Sequence, residues 1–276
     1  MSYKTILIHC DHGHRCAVGV EVAVRLAKQH DAHLIALYTQ SPFVLPGYLL
    51  QAGQGMIDEV QKKAAAEDMA EVKAAYTNKV SSMGFKNAEW RTAIDSPVEA
   101  IAMQARYADL VIVGQRDPEE DSNISQDIPA QLVVAACRPI LILPYIGSFL
   151  SIGSRVLIAW NASREATRAI ADALPLLKRA DSVNLIALSP KHGPREAIPV
   201  DDIVDYLARH GVTAGVSSDH VADIDVGNML LSRAADLDAD LLVMGGYSHS
   251  RLREWVLGGA TRTILDSMTV PVLMSH

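Results

Sequence analysis

Apolar runs of four to six residues recur along the chain, separated by longer segments with helical spacing. In the first half the pattern predicts strands near 5–10, 33–38, 88–92, 109–113 and 140–143. Helices are expected near 15–29, 57–83, 96–106 and 126–136. The second half gives strands near 155–160, 183–188, 212–217, 240–244 and 270–274, with helices near 164–178, 201–210, 226–237 and 259–267. The runs LVIV and LLVM are apolar at every position, as strands buried on both faces must be. The helix near 96 opens with Ser96-Pro97-Val98-Glu99, which supplies an N-cap, a proline at the first helical position and an acidic residue in the first turn.

The two halves repeat one another. ADLVIVG (108–114) matches ADLLVMG (239–245), and ILIHCD (6–11) matches VLIAWN (156–161). HLIALY (33–38) pairs with NLIALS (184–189), and RPILILP (138–144) with VPVLMSH (270–276). A tandem duplication is the simplest reading. The hinge falls in PYIGSFLSIGS (144–154), and the first copy carries extra residues around PFVLPGYLLQAGQG (42–55). Alternating strands and helices predict an α/β fold with a doubly wound, five-stranded parallel sheet in each half. In such sheets ligands sit at the carboxyl ends of the strands, where strand order reverses. The loops after the first, second and fourth strands therefore matter most.

Composition narrows the function. The chain is 49% hydrophobic and 21% charged, with a net charge of −7, and no run of Lys or Arg exceeds two. Nucleic acid and anionic membrane have no electrostatic footprint. No apolar run approaches a bilayer-spanning length, and the first residues do not read as a signal peptide. Cys10, Cys16 and Cys137 make no disulfide framework, so a cytoplasmic protein with reduced thiols is expected. G-x-S-x-G, G-x4-G-K-[ST], H-E-x-x-H and C-x-x-C are all missing, so no enzyme activity is expected.

The loop after the fourth strand of the second half reads GGYSHSRLREWVLGGATRTIL, Gly245 to Leu265. Gly258-Gly259-Ala260-Thr261 opens the last helix, whose free amides can receive an anion. The same glycines also suit tight turns. The tandem halves, the strand ending Met244-Gly245 and a glycine-bearing loop of this length resemble the universal stress protein (UspA) family in its tandem two-domain form. The resemblance covers nearly the whole chain. It implies two Rossmann-like, adenine nucleotide α-hydrolase-like domains, residues 1–147 and 154–276.

Nucleotide-binding members of that family carry G-x2-G-x9-G followed by Ser or Thr. Here the pattern falls on Gly245, Ser248, Gly258 and Gly259, so the second glycine and the hydroxyl residue are replaced. Thr261 stands two residues on and can substitute for the lost hydroxyl. The family's strand-end Asp is Asn161 in this half, and its apolar contact on the second strand is near Leu188. Tyr247 is placed to stack on ribose or base. His249 and Arg251 either neutralise phosphate or face solvent. The resemblance implies an ATP or AMP site, with Mg, in the second half. The alternative is a scaffold that binds no nucleotide and acts through protein contacts or oligomerisation. In the family the domains pair through their last strands, so residues 139–144 and 271–275 are expected to pair within one chain as a pseudo-dimer. Homodimerisation stays open, and the protein partners are unknown.

The first half keeps Asp11 and Gly114 but no glycine loop. After Gly114 it reads QRDPEEDSNISQDIPAQL, whose Asp117, Glu119, Glu120 and Asp121 repel phosphate. That acidic run reads as a solvated loop or, less simply, a metal site. HCDHGHRC (9–16) offers the same choice. Either it is a strand end with a polar loop, or His12, His14 and Asp11 hold a metal. Strand alternation puts His9 and Asp11 on one face and Cys10 on the other, which works against using all the candidates at once. The apolar 42–55 segment either packs on the second half or forms a partner surface, ligand surface or lid.

Overall fold

A computed structural model describes residues 2–12, 15–41, 54–117, 127–189, 199–220, 225–247 and 259–276, with backbone alone at 54–62, 188–189 and 218–220. The first repeat runs β1 (Thr5–Cys10), α1 (Cys16–His30), β2 (His33–Gln40), α2 (Gln54–Ser82), β3 (Ala88–Ile94), α3 (Pro97–Ala105), β4 (Leu110–Gly114), α4 (Ile128–Ala135) and β5 (Ile140–Leu143). The second runs β6 (Arg155–Trp160), α5 (Arg164–Leu177), β7 (Ser182–Ser189), α6 (Asp201–Arg209), β8 (Ala214–His220), α7 (Val226–Asp236), β9 (Leu241–Gly245), α8 (Gly259–Ser267) and β10 (Val272–Ser275).

The ten strands form one sheet in the order β3-β2-β1-β4-β5-β10-β9-β6-β7-β8. Within each repeat the pairs are parallel and doubly wound, as the alternation predicts. The halves do not stay separate sheets. β5 and β10 pair antiparallel, Ile142 opposite Val272, Leu141 opposite Leu273 and Ile140 opposite Met274. Each last strand thereby covers the other's edge, which would otherwise be open for pairing with another chain.

Alternation along each strand sorts the apolar side chains onto two faces. Ile6, Ile8 and Cys10 of β1 join α1, α2, α5 and α6 in one core that runs across both repeats. Leu7 joins the other, with residues of α3, α4, α7 and α8. Tyr3, before β1, donates its hydroxyl to Asp172 O of α5 at 2.8 Å and ties the two halves of the first core together. The hinge segment lies against α1, where Arg25 Nη1 donates to Phe149 O at 2.9 Å.

The repeated ADL motif has a structural cause. Asp109 Oδ2 accepts from Lys4 N at 2.6 Å and Thr5 N at 3.0 Å, where β1 begins. Asp240 does the same for the second repeat, accepting from Gly153 N, Ser154 N and Arg155 N at 3.0, 3.1 and 2.9 Å, and from Ser151 Oγ at 2.8 Å. Each aspartate fixes the entry of its repeat's first strand by satisfying amides that the sheet leaves unpaired.

Ser96 caps α3 with Pro97 behind it, as its sequence predicts. β8 begins at Ala214 rather than 212. Gly211, at φ 80°, closes α6, and Val212 N reaches back to Leu207 O at 2.9 Å, so Val212 belongs to the turn. β10 begins at Val272 rather than 270, after Pro271, which has no amide to pair. The apolar segment 42–53 and residues 118–126, with Glu119, Glu120 and Asp121, lie outside the described residues. No helix among the described residues is long and apolar enough to cross a membrane.

Candidate functional site

Strand order reverses between β6 and β9 in the second repeat and between β1 and β4 in the first. The carboxyl ends of these strands frame two equivalent crevices, and the two are built differently.

In the second repeat only three residues, 161–163, connect β6 to α5. Ala162 takes a left-handed φ of 57°, and Asn161 Oδ1 accepts from Ser163 N at 3.1 Å. Ser163 Oγ accepts from Ala166 N at 3.1 Å and caps α5. Asn161 is therefore engaged in the turn that starts this helix. Ala166, Ala169 and Ala173 give α5 a nearly fully buried face of small side chains, so the helix sits close to the sheet. Its first turn reaches Gly245 at the end of β9. A β-carbon on Gly245 would stand 2.6 Å from Ala166 N and 2.8 Å from Glu165 Cβ. Glycine is required there by backbone approach, whatever ligand the loop receives.

That approach brings Glu165 to the crevice, with a side chain only 8% exposed. Burial raises its pKa, but its own helix-end amide, Arg164 and Ser163 outweigh that and hold the carboxyl below its ordinary value. Glu165 is thus an anion at the mouth of a site expected to receive phosphate. Sequence reasoning missed it. Its burial depends on Gly245, far along the chain, and the local SREA segment reads only as a helix start.

The loop after β9 departs from expectation at Tyr247. Its ring turns away from the crevice toward the first repeat, and its hydroxyl donates to Ala130 O of α4 at 3.0 Å. Burial, with Asp127 nearby, pushes the phenol pKa up. Stacking on ribose or base is not the role this orientation gives it. A left-handed backbone at φ 57° and the packing of Gly246 cause the turn, since a β-carbon on Gly246 would meet Val133 Cγ1 of α4 at 2.5 Å. Thr261, in the first turn of α8, is 4% exposed, and its Oγ1 accepts from Tyr247 N at 3.4 Å. Gly259 and Ala260 begin α8, with Asp225 Oδ1 3.8 Å from the position of a Gly259 β-carbon. Met244 is buried in the core beneath. The structure thus brings together Met244, Gly245, Tyr247, Gly259, Ala260 and Thr261. Ser248, His249, Arg251 and Gly258 lie outside the described residues, as does the side chain of Leu188.

In the first repeat the connection from β1 to α1 is longer, five residues at 11–15. α1 stands back, and a β-carbon on Gly114 would meet nothing within 4 Å. The result is a cleft lined by His9, Asp11, Arg15, Cys16, Gly114 and Gln115, with about 50 Å³ of free space. His9 Nε2 hydrogen-bonds with Thr39 Oγ1 at 2.9 Å; burial pushes its pKa down against the pull of Asp11. Gln115 Nε2 donates to Leu265 O of the second repeat at 2.7 Å, and Gln115 Oε1 accepts from Tyr145 N at 3.1 Å. This residue, which sequence reasoning passed over, binds the hinge and the second repeat to the end of β4. His12 Nε2 lies 3.4 Å from Tyr38 Oη and 3.6 Å from Asp68 Oδ2 on α2. His14 lies outside the described residues, and among those described no group of three His, Cys, Asp or Glu side chains converges to hold a metal ion.

The family model of the universal stress protein family matches the chain twice, over residues 2–138 and 154–276. No curated protein matches the chain. Among solved structures, a universal stress protein from Archaeoglobus fulgidus DSM 4304 is similar at 18% identity and a TM-score of 0.73, over 98% of this chain and 97% of that one. A protein of unknown function from Pseudomonas aeruginosa PAO1 is similar at 14% identity and a TM-score of 0.58, over 99% and 92%. The likeness to these structures is one of fold. With both repeats matched by one family model and both crevices at the same place in the fold, this chain belongs to the universal stress protein family, as a tandem pair.

Proposed function

We propose that the protein is a non-enzymatic, cytoplasmic stress-response regulator whose second repeat takes up an adenine nucleotide, ATP with Mg or AMP, in the crevice between β6 and β9. The observation that carries this reading is the hydrogen bond from Tyr247 N to Thr261 Oγ1. It brings the amino terminus of α8 to the end of β9, beside Gly245. Free amides and the helix dipole then face the place where strand order reverses, which favours a phosphate. Glu165 opposes a highly charged ligand there. The site therefore favours AMP over ATP unless Mg offsets the extra charge.

A second reading has its own support. Gly246 and Tyr247 pack on α4 of the first repeat, so the start of the loop also joins the two repeats. A scaffold acting through protein contacts would need no more than this. Native mass spectrometry and titration calorimetry of the whole chain separate the readings. A co-purifying adenine nucleotide, or binding of AMP or Mg-ATP at micromolar to sub-millimolar concentration, supports the first. No bound mass and no heat at millimolar nucleotide would leave the scaffold.

A further inference from the structure

We infer that Cys10 and Cys16 form a modification site: a reversible disulfide that staples the turn between β1 and α1. The inference is independent of nucleotide binding.

The geometry comes from the strand and the helix. Cys10 is the last residue of β1 and shares a face with Ile6 and Ile8, the face covered by α1. Cys16 is the first residue of α1 and packs against the core that contains Cys10. One turn further on, Gly19 lies over Ile8, and a β-carbon there would stand 3.4 Å from Ile8 Cδ1. Cys16 and Gly19 lie on the same side of the helix, so the start of α1 packs in ordinary contact over the end of β1. The neighbouring Cys16 thiol, with burial, pushes the Cys10 thiol well above its ordinary range.

Exposure gives the thiols different parts. Cys10 is fully buried. Cys16 is partly exposed, at the amino end of a helix, and lines the first-repeat cleft. An oxidant therefore meets Cys16 first. With a small-molecule disulfide such as oxidised glutathione, the Cys16 thiolate attacks one sulfur and releases one thiolate. Cys10 then gives up its proton and attacks Cys16 Sγ, forming the Cys10–Cys16 bond and expelling the second thiolate. Two protons leave the cysteines, and two electrons reduce the reagent to two thiols. The bond closes a turn that carries Asp11 at the cleft and Arg15, whose guanidinium donates to Gly147 O in the hinge segment. Oxidation thus fixes the five-residue connection that borders the first-repeat cleft.

The chain itself provides a clean readout. Trypsin cleaves after Lys4, Arg15 and Arg25, so Cys10 and Cys16 fall on separate peptides, 5–15 and 16–25. The folded full chain is treated with oxidised glutathione, free thiols are blocked, and the digest is weighed without reduction. A disulfide-linked pair of these peptides is expected, with loss of the Cys10 and Cys16 thiols and with glutathione alone on the exposed Cys137. Dithiothreitol should restore both. C137S should keep the linked pair, while C16S, and independently C10A, should abolish it. The inference is overturned if Cys16 stays as a glutathione adduct with Cys10 still free after unfolding, or if the linked peptides join Cys10 or Cys16 to Cys137 or to a second chain.

Discussion

Gly245 and Glu165 touch across the second crevice: a β-carbon on the glycine would stand 2.8 Å from Cβ of the glutamate and closer still to the backbone of its neighbour, Ala166. The corresponding glycine of the first repeat, Gly114, has open space around it. The same substitution should therefore act differently in the two repeats. Gly245→Ala forces the first turn of α5 off the sheet and is expected to cost about 1–3 kcal/mol. Gly114→Ala should fall within about 0.5 kcal/mol of the unsubstituted chain. Urea midpoints of the two variants check this. Equal midpoints would contradict the close packing of α5.

Asp240 holds three successive amides and a hydroxyl where the second repeat begins. Asp240→Ala leaves these donors without their acceptor, a loss of about 2 kcal/mol or more once solvent access is allowed for. Asp240→Asn keeps an acceptor and should cost less. Hydrogen exchange at residues 153–155 should rise in Asp240→Ala before the rest of β6 is affected.

Both aspartates were visible in the sequence as a repeated ADL, though not their purpose. The repeats, the strand alternation and the crevice positions were equally legible, because each rests on local periodicity or on self-similarity. What the sequence hid depends on contacts between distant segments. Glu165 is buried because α5 closes on Gly245, and Tyr247 turns outward because α4 of the other repeat lies beside it. Gln115 reads as an ordinary polar residue after a strand, yet it reaches Leu265 in the other repeat. The fusion of two sheets into one through β5 and β10 is the pairing of last strands that the family resemblance implies, and periodicity within one repeat does not encode it.

His30 ends α1 in a buried corner beside Tyr3, with ring centroids 4.9 Å apart. Burial, with Arg179 adding to it, pushes its pKa from 6.5 down to about 4. The folded chain keeps this imidazole neutral where the unfolded chain protonates it. Its contribution is present in full above pH 6.5 and is lost as pH falls toward 4, by an amount on the order of 2–3 kcal/mol. His30→Phe keeps a ring and removes the titration. Its urea midpoint should change less between pH 7 and pH 5 than that of the unsubstituted chain. Parallel pH profiles would assign the acid sensitivity elsewhere.

The Tyr247 hydroxyl spends its hydrogen bond on Ala130 of the other repeat. Tyr247→Phe should therefore cost about 1 kcal/mol of stability. It should leave adenine nucleotide affinity unchanged, because the ring faces α4 and not the crevice. A drop in affinity with unchanged stability would restore the stacking role.

Glu165 supplies the strictest test of the second crevice. Its carboxyl is held ionised by the amino end of α5, Arg164 and Ser163, and it is almost out of solvent, so little water screens it. A phosphate held between Gly245 and the start of α8 would lie near this charge. Glu165→Gln keeps the size and one acceptor oxygen and removes the charge. If phosphate binds there, the affinity for AMP should rise by about tenfold, equivalent to about 1.4 kcal/mol, and that for ATP by more. The gain should shrink as salt is added. Adenosine, which lacks phosphate, should bind the two forms alike. A Glu165→Gln chain that binds all three ligands as the unsubstituted chain does would place the phosphate elsewhere. One that binds none of them at millimolar concentration would leave the repeat as a scaffold.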